Sequence, residues 1–129
     1  MRRRVNEARV GRLASVRPDG RPHVVPCCFV ADGEVIYSAV DAKPKSSLAL
    51  RRLENVRVTP SVSLLIDEYG EDWSSLWWVR LDGSARVIES GVQRDRALEC
   101  LRAKYQQYRR EPPPGPVIAI EVTEWRAWP

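Results

Sequence analysis

Histidine and lysine are the scarce residues of this chain. His23 is its one histidine, which excludes a Ser-His-Asp triad built on any other imidazole. The sequence around it brings no nucleophile, so a satisfied or exposed histidine is expected, with a hydrogen bond to a ligand ring the weaker alternative. Of 21 basic residues only Lys43, Lys45 and Lys104 are lysines, so arginine fills every other basic position. Three cysteines without a Cys-x-x-Cys pair exclude a disulfide framework and offer no zinc-ligand spacing. Cys27 and Cys28 are neighbours in an expected strand and point to opposite faces, while Cys100 falls in an expected helix. Buried, reduced thiols are the expectation. No apolar run approaches the roughly 20 residues of a membrane-spanning helix. The start, Met1-Arg2-Arg3-Arg4, is basic and not apolar like a signal peptide. No membrane partner and a cytoplasmic location follow as expectations. Internal repeats are missing as well.

What is present suits one globular domain over residues 1–129, with 43% hydrophobic residues and a mean hydropathy of −0.40. The net charge of +4 and pI near 9.2 favour an acidic partner, either a phosphorylated cofactor or nucleic acid. The basic residues are dispersed among acidic ones, apart from Arg2 to Arg4, Arg51-Arg52 and Arg109-Arg110. No nucleic-acid-binding motif accompanies them, so no nucleic-acid partner is expected. Asp67, Glu68, Glu71 and Asp72 read as a solvated loop, and no metal site is expected.

Alternation and turn chemistry give the elements. A short helix or arm over Arg2 to Ala8 precedes a strand from Val10 to Val16, and Pro18-Asp19-Gly20 makes a hairpin turn. The return strand, Arg21 to Val30, carries Pro26, whose missing N–H predicts an edge or a kink. Ala31-Asp32-Gly33 turns into a third strand. Pro60 introduces a fourth, Ser61 to Tyr69, and Asp72 caps a turn in the polar connection after it. A long strand from Leu76 to Glu89 is expected to bulge at Asp82-Gly83. Ser90 and Gln93 fit a capping box, opening a helix to about Arg110 with Ala97, Leu98, Leu101, Tyr105 and Tyr108 on one face. Val117 to Thr123 is a last strand and Trp125 to Pro129 a tail. About six strands and two inserted helices predict a small antiparallel barrel with helices over its gaps.

The stretch Glu34 to Leu53 is where chemistry is expected. A strand ends near Val40, Lys43-Pro44-Lys45 breaks the alternation, and Ser46 to Glu54 reads as a helix with Leu50 and Leu53 inward. Pro44 suits a first helical turn. Free N–H groups, the positive end of the helix dipole and two ammonium groups then converge on a site for an anion such as phosphate. Of the five tryptophans, the adjacent Trp77 and Trp78 point to opposite sides of one strand. One packs in the core and the other walls a flat ligand or a dimer contact; Trp77 is taken for the ligand. Trp73, Trp125 and Trp128 lie in loop or tail, where such rings seal interfaces.

The runs GRLASVRPDGRPHVVPCCF, VIYSAVDAKPK, SVSLLIDEY and DWSSLWWVRLDGSARV resemble, in order and spacing from Ala8 to Trp128, the pyridoxamine phosphate oxidase-like split β-barrels. The similarity is greatest to the actinobacterial branch of F420-dependent oxidoreductases. That resemblance implies a mainly β fold, a split barrel of about six antiparallel strands with two or three short helices. It also implies a homodimer binding coenzyme F420, or alternatively FMN, in a groove between subunits and acting on a small-molecule substrate. By position it implies that Lys43 and Lys45 hold the cofactor phosphate, with Ser38 on the strand leading to them, and that Val25, Pro26 and Cys27 neighbour the tricyclic ring. Arg51 and Arg52 are candidates for the acidic tail of F420. The vitamin B6 oxidases have an arginine-lysine pair where this chain has Lys43-Pro44-Lys45. Their C-terminal substrate-phosphate arginines have no clear equivalent here. No acid–base constellation is visible, as suits an enzyme whose cofactor carries the hydride, and no catalytic residue is assigned. A carrier that binds a flavin or deazaflavin without turnover is the further alternative.

Overall fold

The computed structural model describes residues 1–40 and 47–129, and the side chains of all of these except residues 47–50. Lys43 and Lys45 lie outside the described residues. Helix α1 (Arg2–Glu7) leads into β1 (Gly11–Val16) and β2 (Pro22–Cys27), joined through Gly20 at a φ of 90°. Then come β3 (Val30–Asp32), β4 (Val35–Ala39), α2 (Ser47–Val58), β5 (Ser61–Glu68) and β6 (Trp77–Ile88). Two helices, α3 (Val92–Lys104) and α4 (Gln106–Arg110), precede the final strand β7 (Val117–Trp128).

All strand pairs are antiparallel, and the seven strands form one sheet in the order β2-β1-β5-β6-β7-β4-β3. The two edges of this order, β2 and β3, are consecutive in sequence and separated by Cys28-Phe29 alone. Three Cα steps span at most about 11 Å, so the sheet has to curl until its edges nearly meet. The result is the expected mainly β, antiparallel barrel-like fold. It has seven strands instead of about six, because the stretch expected as one strand, Arg21 to Val30, supplies one strand to each edge. Pro22 and Pro26 lack the N–H that an interior position would need, and β2 is an edge, as Pro26 predicted.

Alternation along the strands fills the inside of the curl. Leu13, Phe29, Ile36, Leu64, Ile66, Leu81, Ile118 and Ile120 are each no more than 1% exposed. Val5 of α1 and Leu53 and Val56 of α2 insert into the same core. A second cluster lies outside the sheet, where Tyr37, Ala39, Val117 and Ala119 meet Ala97 and Leu101 of α3 and Tyr108 of α4. Each such fully buried aliphatic side chain contributes about 1.5–3 kcal/mol.

The bulge falls where Asp82-Gly83 predicted it: the β6–β7 register shifts between these residues. A Cβ on Gly83 would sit 2.3 Å from the Glu121 carbonyl oxygen, so the strands approach too closely there for any other residue. Asp72 caps a 3-10 turn (Trp73–Ser75) by accepting from the Ser74 amide at 3.0 Å. Four expectations need correction. The α3 N-cap is Gly91, at a φ of 102° that favours glycine, with no side-chain cap bond. Gln93 instead accepts from Arg86 at 2.6 Å and donates to the Tyr37 hydroxyl at 3.4 Å, so it is not free for a capping box. The helix expected to reach Arg110 breaks at Tyr105, which is extended (φ −111°, ψ 116°). The tail from Trp125 is a continuation of β7, because the long β6 offers it ladder partners as far as Trp78↔Trp128. Helix α2 also runs to Val58, past the expected end at Glu54. Among the described residues no helix is long and apolar enough to cross a membrane.

Candidate functional site

Strand β2 presents two different surfaces. Val24 and Pro26 face out and are exposed; His23 and Cys27 face in and are buried, and Val25 stands half-buried opposite Leu13. The three ring neighbours expected from the resemblance therefore alternate sides, Pro26 outward and Val25 and Cys27 inward. Burial pushes the Cys27 thiol up, away from thiolate reactivity. All three cysteines are free.

On the outer face, a groove of about 450 Å³ crosses β2, β1, β5 and β6. Val24, Ala14, Leu65 and Trp78 give it an apolar floor and an aromatic wall. Charged pairs flank it: Arg12 with Asp67 at 3.1 Å, and Arg80 with Asp82 at 3.1 Å. Ser63 adds a 2.6 Å hydrogen bond to Asp82 that fixes the carboxylate. Of the adjacent tryptophans, Trp78 lines this groove. Trp77 turns the other way, against the core, with its Nε1 donating to Glu68 at 3.1 Å and the Arg4 guanidinium 4.8 Å above its ring.

On the inner face, between the turn end of the β1–β2 hairpin and α2, the polar groups are differently arranged. Ser15 and His23 are register partners. Asn55 of α2, fully buried, donates from Nδ2 to the Ser15 hydroxyl at 3.1 Å. Arg52, one turn before it, is 9% exposed, and His23 is 6% exposed. Arg17 Nε, His23 Nδ1, Arg52 Nε and Asn55 Oδ1 are buried without a hydrogen-bond partner. Among the described residues no ion pair engages Arg17, Arg51 or Arg52. Burial holds His23 below its ordinary imidazole value, and the positive charges of Arg17, Arg51 and Arg52 add to the effect. Arg51 is exposed on the same helix. Nothing in the sequence singled out Arg17 or Asn55; the only signal was the solitary histidine.

A third feature closes the corner between the sheet edges. The Tyr105 hydroxyl accepts from the Phe29 amide at 3.0 Å and lies 2.9 Å from the carbonyl oxygens of Phe29 and Arg9, one of which takes its proton. Lys104 Nζ donates to the Phe29 carbonyl at 2.9 Å and sits 3.9 Å from the Phe29 ring centroid. Burial brings Lys104 down to about 8 and pushes Tyr105 up to about 12. Ser38, expected near the cofactor, is buried and donates to the Cys28 carbonyl at 2.8 Å, so its hydroxyl is engaged in the same corner.

The molecule is a curled antiparallel, barrel-like sheet with an apolar groove on one side of its edge strand and a group of arginines without ion pairs on the other. The chain belongs to the pyridoxamine 5'-phosphate oxidase family, whose profile matches residues 1–129. Solved structures share the fold. The conserved hypothetical protein Rv2991 from Mycobacterium tuberculosis is 23% identical, with a TM-score of 0.76 over 96% of this chain and 79% of its own. HutZ, the heme storage protein from Vibrio cholerae, is 17% identical, with a TM-score of 0.71 over 98% of this chain and 89% of its own. A heme-binding protein from Mycobacterium smegmatis is 17% identical, with a TM-score of 0.76 over 96% of this chain and 50% of its own. No curated protein matches the chain significantly.

Proposed function

We propose that the chain is an oxidoreductase that binds coenzyme F420 and passes hydride to or from a small organic substrate, with FMN as the alternative cofactor on the same site. The observation that carries this reading is the outer groove beside β2, of a size ordinary for cofactor sites and floored by apolar side chains with an aromatic wall. Together with the resemblance, it fits a flat tricyclic ring. Arg17 and Arg52, on the other face of the same edge strand, leave guanidinium nitrogens unpartnered and fit an anionic group. When bound, the cofactor supplies the hydride chemistry. The chain's own residues would bind and orient it. Val24, Pro26 and Trp78 would pack against the ring and exclude water from it. Lys43 and Lys45 would hold the phosphate, and Arg51 and Arg52 would add positive charge for the acidic tail of F420.

Two of the similar structures are heme proteins, and heme is the natural competitor. Here the one histidine is 6% exposed on the inner face, so no imidazole faces solvent to ligate iron. Fluorescence titration of the purified protein with F420, FMN and heme in parallel tests the reading. Saturable binding of F420, tighter than that of FMN, is the expected result. Saturable heme binding without binding of either tricycle overturns it.

A further inference from the structure

Among the described residues, five buried side-chain nitrogen or oxygen atoms have no hydrogen-bond partner: Arg17 Nε, His23 Nδ1, Arg52 Nε, Asn55 Oδ1 and Arg94 Nε. Arg94 is otherwise well used, donating from NH2 to the carbonyls of Pro113, Pro114 and Gly115 at 3.0–3.4 Å. The other four come from one place, the junction of the β1–β2 hairpin end with α2. Unsatisfied buried polar groups are few in native proteins, and scatter would not put four of five together.

Three of the four are donors: two are guanidinium nitrogens and one is an imidazole nitrogen able to donate. The fourth, Asn55 Oδ1, is an acceptor that suits a neighbouring guanidinium and not an anion; its Nδ2 is held by Ser15. A guanidinium that is nine-tenths buried without a counter-charge is costly, because desolvation is not offset by pairing. Among the described residues no carboxylate forms an ion pair with Arg52, and the charged groups acting on His23 are Arg17, Arg51 and Arg52, all positive. Asp19, without an ion pair to Arg17, acts on it only through its charge. A neutral or cationic ligand would leave that cost in place, whereas an oxyanion accepts from both guanidinium groups and from His23 at once.

We propose that Arg17, His23 and Arg52, with Asn55 beside them, form an oxyanion pocket between the β1–β2 hairpin and α2 that binds a phosphate-type anion. Its source is either an anionic group of a bound cofactor beyond the phosphate assigned to Lys43 and Lys45, or a free phosphate. Only the first of these rests on the cofactor reading above. A bound anion stabilises the imidazolium form of His23, so occupancy couples to the protonation of this residue.

Because His23 is the only histidine, its two ring C–H protons give NMR signals free of overlap from other histidines, and their pH titration reports the pocket directly. The protein is titrated with inorganic phosphate, with F420 and with FMN, at ionic strength matched by sodium chloride. Phosphate is expected to raise the His23 titration midpoint and the melting temperature saturably, where chloride does neither. Arg52→Gln should weaken this by about tenfold or more, as loss of a charged hydrogen bond implies. Arg17→Gln, at a less buried position, gives the same readout should the first variant not fold. If only F420 or FMN moves the signal, the pocket stands and its anion is the cofactor's. If phosphate moves it while neither cofactor is bound in the fluorescence titration, the pocket stands and the cofactor reading fails. A His23 signal unmoved by all three ligands overturns the proposal.

Discussion

His23 owes its low proton affinity first to burial and then to three arginines. Between its lowered native value and the ordinary 6.5, the unfolded chain binds the proton and the native chain does not. Stability on this account is complete above pH 6.5 and falls as the pH drops through that window. Urea melts above and below 6.5 should show the decline, and His23→Gln should flatten it. An unchanged slope in the variant would assign the acid sensitivity to other groups. Gly83 supports a second expectation. Alanine there would place its Cβ 2.3 Å from the Glu121 carbonyl oxygen, whereas Gly70 has nothing within 4 Å of the same position. Thermal melts should show Gly83→Ala destabilised by about 1–3 kcal/mol and Gly70→Ala within about 0.5 kcal/mol of the parent. Lys43 and Lys45 carry the phosphate assignment. Replacing either by alanine should weaken cofactor binding by about 1.5–3 kcal/mol, the range for hydrogen bonds to charged groups, and leave the melting temperature in place. Calorimetry that finds the double variant binding as tightly as the parent would remove the assignment.

At the scale of elements, the features that follow from local backbone chemistry were legible in the sequence. Pro26 placed β2 at an edge, Asp82-Gly83 placed the bulge, and Asp72 placed a cap. What was not legible depends on partners far along the chain. The crossing at Cys28-Phe29 is held by Lys104 and Tyr105, 75 and 76 residues away. The same engagement takes Tyr105 out of the helix, so an uninterrupted α3 was the natural but incorrect reading. The tail from Trp125 to Trp128 became strand because β6 extends alongside it. Tyr105→Phe tests the corner: it leaves the Phe29 amide without its acceptor. A loss of about 1–3 kcal/mol is expected, with faster hydrogen exchange at that amide. Protection equal to the parent's would show that the hydroxyl is dispensable.

For the whole molecule, the covering of the sheet is unequal. Helices α3 and α4 cover the outer face of β4 and β7. The outer face of β2, β1, β5 and the start of β6 carries no helix among the described residues, and Val24, Tyr69 and Trp128 are 62%, 64% and 49% exposed. Such apolar surface marks an interface, and a two-fold dimer through this face would shelter the groove from water. Light scattering at micromolar concentration should give about twice 14.7 kDa; the mass of one chain would reject the dimer. The site was only partly legible at this scale. Arg52 was named from its charge. Its companions Arg17 and Asn55 were not, because only folding brings α2 over the hairpin.

The central claim, that this barrel serves an anionic deazaflavin, is tested most directly by calorimetric titration with F420 and with FMN at low and high salt. FMN ends at one phosphate, whereas F420 continues into carboxylates that meet exposed, salt-screened charge such as Arg51. F420 should bind more tightly than FMN at low salt and lose more affinity as salt rises, and Arg51→Ala with Arg52→Ala should shrink that difference. FMN binding more tightly than F420 at every salt concentration would contradict the account and make the protein a flavoprotein of the same fold.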